Sequence, residues 1–146
     1  MKNIITKLVM FAILSIAFAT ASNAENMKKM NDINVHYIAL SSTFLTPEIA
    51  KAYGIERSRY KGLINISVLD NTQQDNPAKT VIINGKARND VGQIKSLEFT
   101  EVVEGDAVYY LAQVNYTNEE TIYFDINITD KGQQHNLKFS QKFYVD

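Results

Sequence analysis

The chain has 146 residues, 45% of them hydrophobic, with no cysteine and a formal net charge of −1. A charge near zero with no long basic run excludes the electrostatic footprint of a nucleic-acid-binding protein. The absence of cysteine excludes disulfides, thiolate nucleophiles, cysteine-ligated metals and a lipid-modified cysteine.

The first 24 residues have the three parts of a secretory signal peptide. Lys2 and Lys7 give a positive start, and residues 8–18 form an apolar run. That run fits a signal core and is shorter than the ~20 residues that span a bilayer. Small residues then lead to Ala24, so cleavage is predicted between Ala24 and Glu25. An uncleaved anchor is the alternative.

Cleavage there removes two lysines and no acidic residue, which leaves 122 residues with a formal charge of −3. This length suits one domain with one hydrophobic core. Residues 25–31 are polar and aperiodic, so we expect a mobile leader there and a single domain over residues 32–146. The export signal predicts a protein that works in a bacterial periplasm and is free of the membrane after cleavage.

Alternation of apolar and polar residues, which is typical of a half-buried strand, begins at Ile33. Thr46 as N-cap, Pro47 in the first turn and Gly54 as terminator then predict a helix of about two turns. Six more segments alternate and are separated by turn residues. These predicted strands lie near residues 61–70, 79–88, 93–103, 107–116, 121–129 and 135–145.

Seven strands of nine or ten residues, with one short helix between strands one and two, predict an all-β protein. The pattern is typical of an immunoglobulin-like β-sandwich. A small barrel is the alternative. Neither the disulfide nor the tryptophan of antibody domains is present, so the expected likeness is one of architecture.

Three stretches of the chain resemble a known family. They are SSTFLTPEIAKAYGIERSRYKGLINISVL, EGDAVYYLAQVNYTNEETIYFDINIT and the ending LKFSQKFYVD. Together they resemble an uncharacterised family of exported gammaproteobacterial proteins, domain of unknown function 4426, from about residue 31 to the end. The resemblance implies a Gram-negative periplasmic setting and a compact β-rich domain, and it implies no activity, ligand or site residue.

Basic side chains gather after the predicted helix. Arg57, Arg59 and Lys61 would share one face of an extended segment, with Tyr53 close by. Guanidinium and ammonium groups in such an arrangement bind carboxylates and phosphates, so an anionic ligand or an acidic partner surface could dock here. A charged, soluble rim that protects an edge strand is the simpler interpretation of the same residues.

His36 and Asn65 are two further candidates for a ligand-binding pocket. His36 lies in the first predicted strand in no spacing that suits a metal, and a structural histidine is the simpler interpretation. Asn65 lies in the strand near residues 61–70, on the face that also carries Leu63, Ser67 and Leu69. If His36, Arg57, Arg59 and Asn65 met in one concave pocket, an enzyme or small-ligand site would be favoured.

The sequence therefore predicts a non-enzymatic periplasmic binding or interaction module for a peptide or protein, acting through the Arg57 to Lys61 region or an exposed sheet edge. The alternatives are a small-ligand-binding protein or an enzyme of unknown class near His36, and a structural role in the envelope. No motif indicates a cofactor, a metal or an enzyme class, and the oligomeric state is not predicted.

Overall fold

The computed structural model describes residues 25–145, so the predicted signal peptide and Ala24 lie outside the described residues. Within residues 25–145, no helix has the length and hydropathy of a membrane span. In chain order the elements are β1 (Asn26–Met30), β2 (Ile33–Ser41), a 3-10 turn (Ser42–Phe44), α1 (Pro47–Ala52), β3 (Lys61–Asp70), β4 (Ile82–Arg88), β5 (Ile94–Leu97), β6 (Thr100–Glu104), β7 (Ala107–Asn115), β8 (Glu120–Asp130) and β9 (Gln133–Phe143).

The strands form two antiparallel sheets. Sheet A has the order β1-β2-β3-β7-β6, and sheet B has the order β5-β4-β8-β9. The main core lies between them, where alternate residues such as Ile64, Ile66, Ile126 and Ile128 are fully buried. The predicted all-β sandwich with one short helix is confirmed.

The other face of sheet A is also covered, by residues 42–58. There Leu63 of β3 belongs to a second apolar cluster with Leu45 and Ile49. Thr46 caps α1 as predicted, since its hydroxyl oxygen accepts from the backbone N–H of Ile49 at 3.3 Å. The cluster comprises Ile38, Leu40, Leu45, Ile49, Ala50, Ile55, Leu63 and Leu111.

The described part has nine strands where seven were predicted, and one of the additional strands is β1. Residues 26–30 pair with β2 from Asn26 opposite Tyr37 to Met30 opposite Ile33. Residues 26–30 of the expected mobile leader thus form a paired edge strand. The strand is stable because Met30, 8% exposed, enters the main core. Its polar residues remain in water because β1 is an edge strand.

The other additional strand arises because the predicted strand 93–103 is two strands in different sheets. β5 belongs to sheet B and β6 to sheet A. Leu97 is buried in the main core, but Val103, which would share its face in one continuous strand, is 59% exposed. The chain changes sheets at Glu98 and Phe99, so the alternation of inward-facing and outward-facing residues does not continue from β5 into β6.

Buried polar contacts hold the segment that leads from β3 to β4. The hydroxyl of Tyr110, 2% exposed, accepts from the N–H of Val81 at 2.8 Å and lies 3.2 Å from its carbonyl oxygen. Burial raises the pKa of Tyr110. Lys79 forms an ion pair with Asp130 at the end of β8, with only 13% and 10% of the two side chains exposed. These contacts join the two sheets at one end of the core.

Gly62 is a sensitive position in the packing of the two sheets. A Cβ atom there would lie 2.8 Å from Cε1 of Phe143, and that ring stacks on Tyr116 at 4.5 Å. Gly62→Ala is therefore expected to lower the free energy of unfolding by about 2 kcal/mol through overpacking, measured by urea denaturation. The same change in a Phe143→Leu background should cost less than half as much. Equal costs in the two backgrounds would refute this contact.

Candidate functional site

The structure gives Arg57 and Lys61 local partners. The Nε of Arg57 donates to the carbonyl oxygen of Leu45 at 2.7 Å, and a terminal nitrogen donates to that of Thr43 at 3.3 Å. Lys61 forms an ion pair with Glu56. Residues 55–60 are not a strand, so the shared face expected of Arg57, Arg59 and Lys61 does not form. Arg57 instead holds the 3-10 turn and the start of the helix.

Arg59 and Tyr53 contact different parts of the molecule. Arg59 borders a small cavity together with Phe44 and Tyr144. The Tyr53 hydroxyl donates to Oε1 of Glu104 at 3.2 Å, which ties the end of α1 to edge strand β6. Burial, followed by the negative charge of Glu104, raises the pKa of Tyr53 from 10.0 to about 12.

His36 lies far from these groups, on the outer face of sheet A. It is opposite Ser67 of β3, six residues from Lys61 and therefore about 20 Å along the strand. Asn65 lies between the two ends, 7% exposed, and its Oδ1 has no hydrogen-bond partner among the described residues. The structure thus does not bring His36, Arg57, Arg59 and Asn65 into one pocket.

A groove of about 530 Å³ lies elsewhere, on the outer face of sheet B. Its lining forms two rows across the strands. In the first row, Lys86 of β4 is opposite Asp125 of β8, and Asp125 is opposite Lys138 of β9. The second row contains, in order across the sheet, Ile94, Arg88, Tyr123 and Ser140.

The groove is positively charged within an acidic protein. Among its lining residues, Lys86, Arg88 and Lys138 face a single carboxylate, Asp125. Asn136 donates to Oδ1 of Asp125 at 2.7 Å and so fixes that carboxylate at the floor. The three cationic side chains are exposed, which leaves them free to bind an anion.

Arg88 is held in place by aromatic contact, because its guanidinium lies 4.3 Å from the ring centroid of Tyr123. A hydrogen bond to Asp90, together with its negative charge, raises the pKa of the Tyr123 hydroxyl. One exposed apolar side chain also lines the groove, since Ile94 is 63% exposed. The groove therefore combines fixed positive charge with apolar surface.

Sequence reasoning did not identify this groove. Its strands were predicted, and alternation along them puts Asp125 and Lys138 on polar faces, but the pattern of one strand does not reveal its neighbour's register. Among residues 25–145, no three histidine, aspartate or glutamate side chains are grouped so that they could hold a metal ion. Methionine, whose thioether sulfur can also bind a metal ion, is not among those three residue types.

Comparisons with known proteins give a family and a fold. The family model described as domain of unknown function (DUF4426) matches residues 27–146. The crystal structure of a DUF4426 family protein from Pseudomonas aeruginosa is 31% identical, with a TM-score of 0.72, and the match covers 84% of this chain and 96% of that one. The comparison with curated proteins finds no match.

Two structures of FetP from uropathogenic Escherichia coli are similar at lower identity. A copper-bound variant is 13% identical, with a TM-score of 0.56, covering 84% of this chain and 91% of that one. FetP as isolated after recombinant expression in the periplasm is 12% identical, with a TM-score of 0.56, covering 83% and 94%. This similarity is one of fold.

The Tyr53 contact predicts a specific pH dependence of stability. Because folding raises the pKa of Tyr53 from 10.0 to about 12, its contribution is complete below pH 10 and is lost as the pH rises toward 12. Tyr53→Phe should cost about 1 kcal/mol at pH 7 and should flatten the decline in unfolding free energy over that window. Thermal denaturation against pH measures both effects. Tyr60→Phe, at an exposed tyrosine, is the control, and an unchanged decline in Tyr53→Phe would contradict the assignment.

The buried Asn65 oxygen predicts a gain in stability on substitution. Asn65→Leu removes an unpaired buried acceptor and adds apolar surface beside Ile38 and Leu111, which lie opposite it. We expect the free energy of unfolding to rise by about 1 kcal/mol, measured by urea denaturation, while Ser67→Ala on the same face should change it little. A clear loss of stability in Asn65→Leu would show that the oxygen has a bound partner in solution.

Proposed function

The chain belongs to the DUF4426 family, and on that premise we propose that it is a non-enzymatic periplasmic binding module whose groove on sheet B holds an acidic segment of a protein partner. The observation that carries this proposal is the groove itself, where Lys86, Arg88 and Lys138 outnumber the one lining carboxylate, Asp125, beside the exposed side chain of Ile94. An extended chain with alternating acidic and apolar side chains complements both features.

The dimensions of the groove favour an extended segment. Its two rows cross β4, β8 and β9, and adjacent strands are about 4.8 Å apart. Lys86 and Lys138 are therefore about 10 Å apart across the sheet, a distance that three residues of an extended peptide span. A small anion contacts one cation or the other, whereas a peptide contacts both.

The periplasmic location is supported by the signal peptide that the sequence predicts and by the similar fold of FetP, a protein that was produced in the periplasm. The alternative of an enzyme around His36 requires that histidine, Arg57, Arg59 and Asn65 to share a pocket. His36 and Asn65 lie on sheet A, whereas Arg57 and Arg59 belong to the non-strand segment that precedes β3, so that alternative has no geometric support. Arg57 also anchors the 3-10 turn, so the exposed cations of sheet B are better placed to bind a partner.

The proposal is tested with a photo-reactive phenylalanine analogue in place of Ile94 on the groove rim, crosslinked in intact cells. Crosslinking of this kind does not depend on lysine chemistry, so the lysines of the groove can be changed. We expect a reproducible crosslinked partner whose attached peptide is acidic. The charge reversals Arg88→Glu and Lys138→Glu together should reduce the crosslinked product at least tenfold, measured by mass spectrometry.

Two controls test whether the crosslink is specific to the groove. The same analogue in place of Tyr60, which is 53% exposed and outside the groove, reports non-specific capture. The matched reversals Lys51→Glu and Arg59→Glu change the same number of charges near the region that the sequence favoured. A crosslink that survives the groove reversals, or that is lost equally in the matched control, would overturn the proposal.

A further inference from the structure

Edge strand β1 places two donor side chains beside His36. Met27 is directly opposite His36 in the β1–β2 register, and Oε1 of Glu25 lies 3.6 Å from Nδ1 of His36. We propose that Glu25, Met27 and His36 form a binding site for a copper ion. The site lies on the outer face of sheet A, remote from the groove on sheet B.

The spacing of the three donors suits a single ion. Two ligand atoms that are each about 2.1 Å from a metal in tetrahedral geometry are about 3.4 Å apart, so the 3.6 Å between His36 and Glu25 needs little adjustment. Side chains directly opposite in an antiparallel pair have Cβ atoms about 5 Å apart. The flexible Met27 side chain can therefore bring its sulfur to an ion bound by His36.

The kinds of donor favour copper over other metals. A thioether is a soft ligand that selects Cu(I), and imidazole also binds copper well. Calcium and magnesium prefer sites made of oxygen ligands, and structural zinc sites use cysteine and histidine. One thioether, one imidazole and one carboxylate are thus best matched to copper, with Cu(I) bound most tightly.

The exposure of Met27 is consistent with a ligand rather than a core residue. β1 contains two methionines that lie on opposite faces of the strand. Met30 is 8% exposed and belongs to the main core, whereas Met27 is 53% exposed. Met27 therefore contributes little to core packing, and its sulfur is accessible to an ion from solution.

Two further groups lie near the proposed site: the side chain of Lys29 and the backbone nitrogen of Glu25. Lys29, opposite Asn34, is two residues along β1 on the same face, and its positive charge opposes a bound ion without blocking it. Cleavage after Ala24, which the sequence predicts, would give Glu25 a primary amine. That amine would supply a fourth donor on a residue that already belongs to the site.

The test measures Cu(I) affinity by competition with a chromophoric chelator. The chain is expressed with its own signal peptide, and its mature start is read by mass spectrometry. His36→Gln and Met27→Leu should each weaken Cu(I) binding at least tenfold, and Glu25→Gln should weaken it several-fold. Met27→Leu should also remove the sulfur ligand from the X-ray absorption spectrum of the copper-loaded protein.

The controls separate a site from general surface binding. His135→Gln changes the other histidine and should leave Cu(I) affinity unchanged, and circular dichroism should show native folding in every variant. Insertion of Gly-Ser before Glu25 displaces the amine and should weaken Cu(II) binding, whereas an unchanged Cu(II) affinity would remove the amine from the site. Wild-type Cu(I) affinity in both His36→Gln and Met27→Leu, or an equal loss in His135→Gln, would overturn the proposal.

Discussion

The burial of β3 on both faces is the constraint on which the rest of the structure depends. Ile64, Ile66 and Val68 enter the main core, while Leu63 lies in the second cluster under residues 42–58. Burying both sets of side chains requires a layer on each side of sheet A. One layer is sheet B, and the other is the 3-10 turn with α1. Most of sheet A is therefore hidden, and the large accessible face of the sandwich is the outer face of sheet B.

The same constraint explains why Arg57 and Tyr53 are structural. A short segment that covers a sheet has few backbone hydrogen bonds of its own, and it must be attached by side chains. Arg57 donates to the carbonyl groups of Thr43 and Leu45, and Tyr53 donates to Glu104. From the sequence these residues appeared free for a ligand, because a pattern of charges does not show which backbone groups lack partners.

Alternation predicted the strands well where one face is buried, as in β8 and β9, and the capping residues of α1 were also correct. Alternation failed at the two places where contacts with neighbouring strands determine the secondary structure. Residues 26–30 form a strand because the edge of β2 pairs with them, and residues 93–103 change sheets because Leu97 and Val103 have different surroundings. Both surfaces proposed for binding depend on register, which alternation does not reveal. Thus the fold class followed from the sequence, and the grouping of functional side chains did not.

The groove on sheet B is rigid because its floor is part of the core. Phe124 and Phe139 lie between the two rows in sequence, and their side chains are on the inner face of the sheet. Their rings stack there with centroids 4.8 Å apart. Phe139 in turn contacts Tyr37 of sheet A at 4.6 Å. Any movement of the floor would disturb packing between the sheets, which is unfavourable in a close-packed interior. The cations are thereby presented on a fixed frame, so that a partner is not required to order the sheet as it binds.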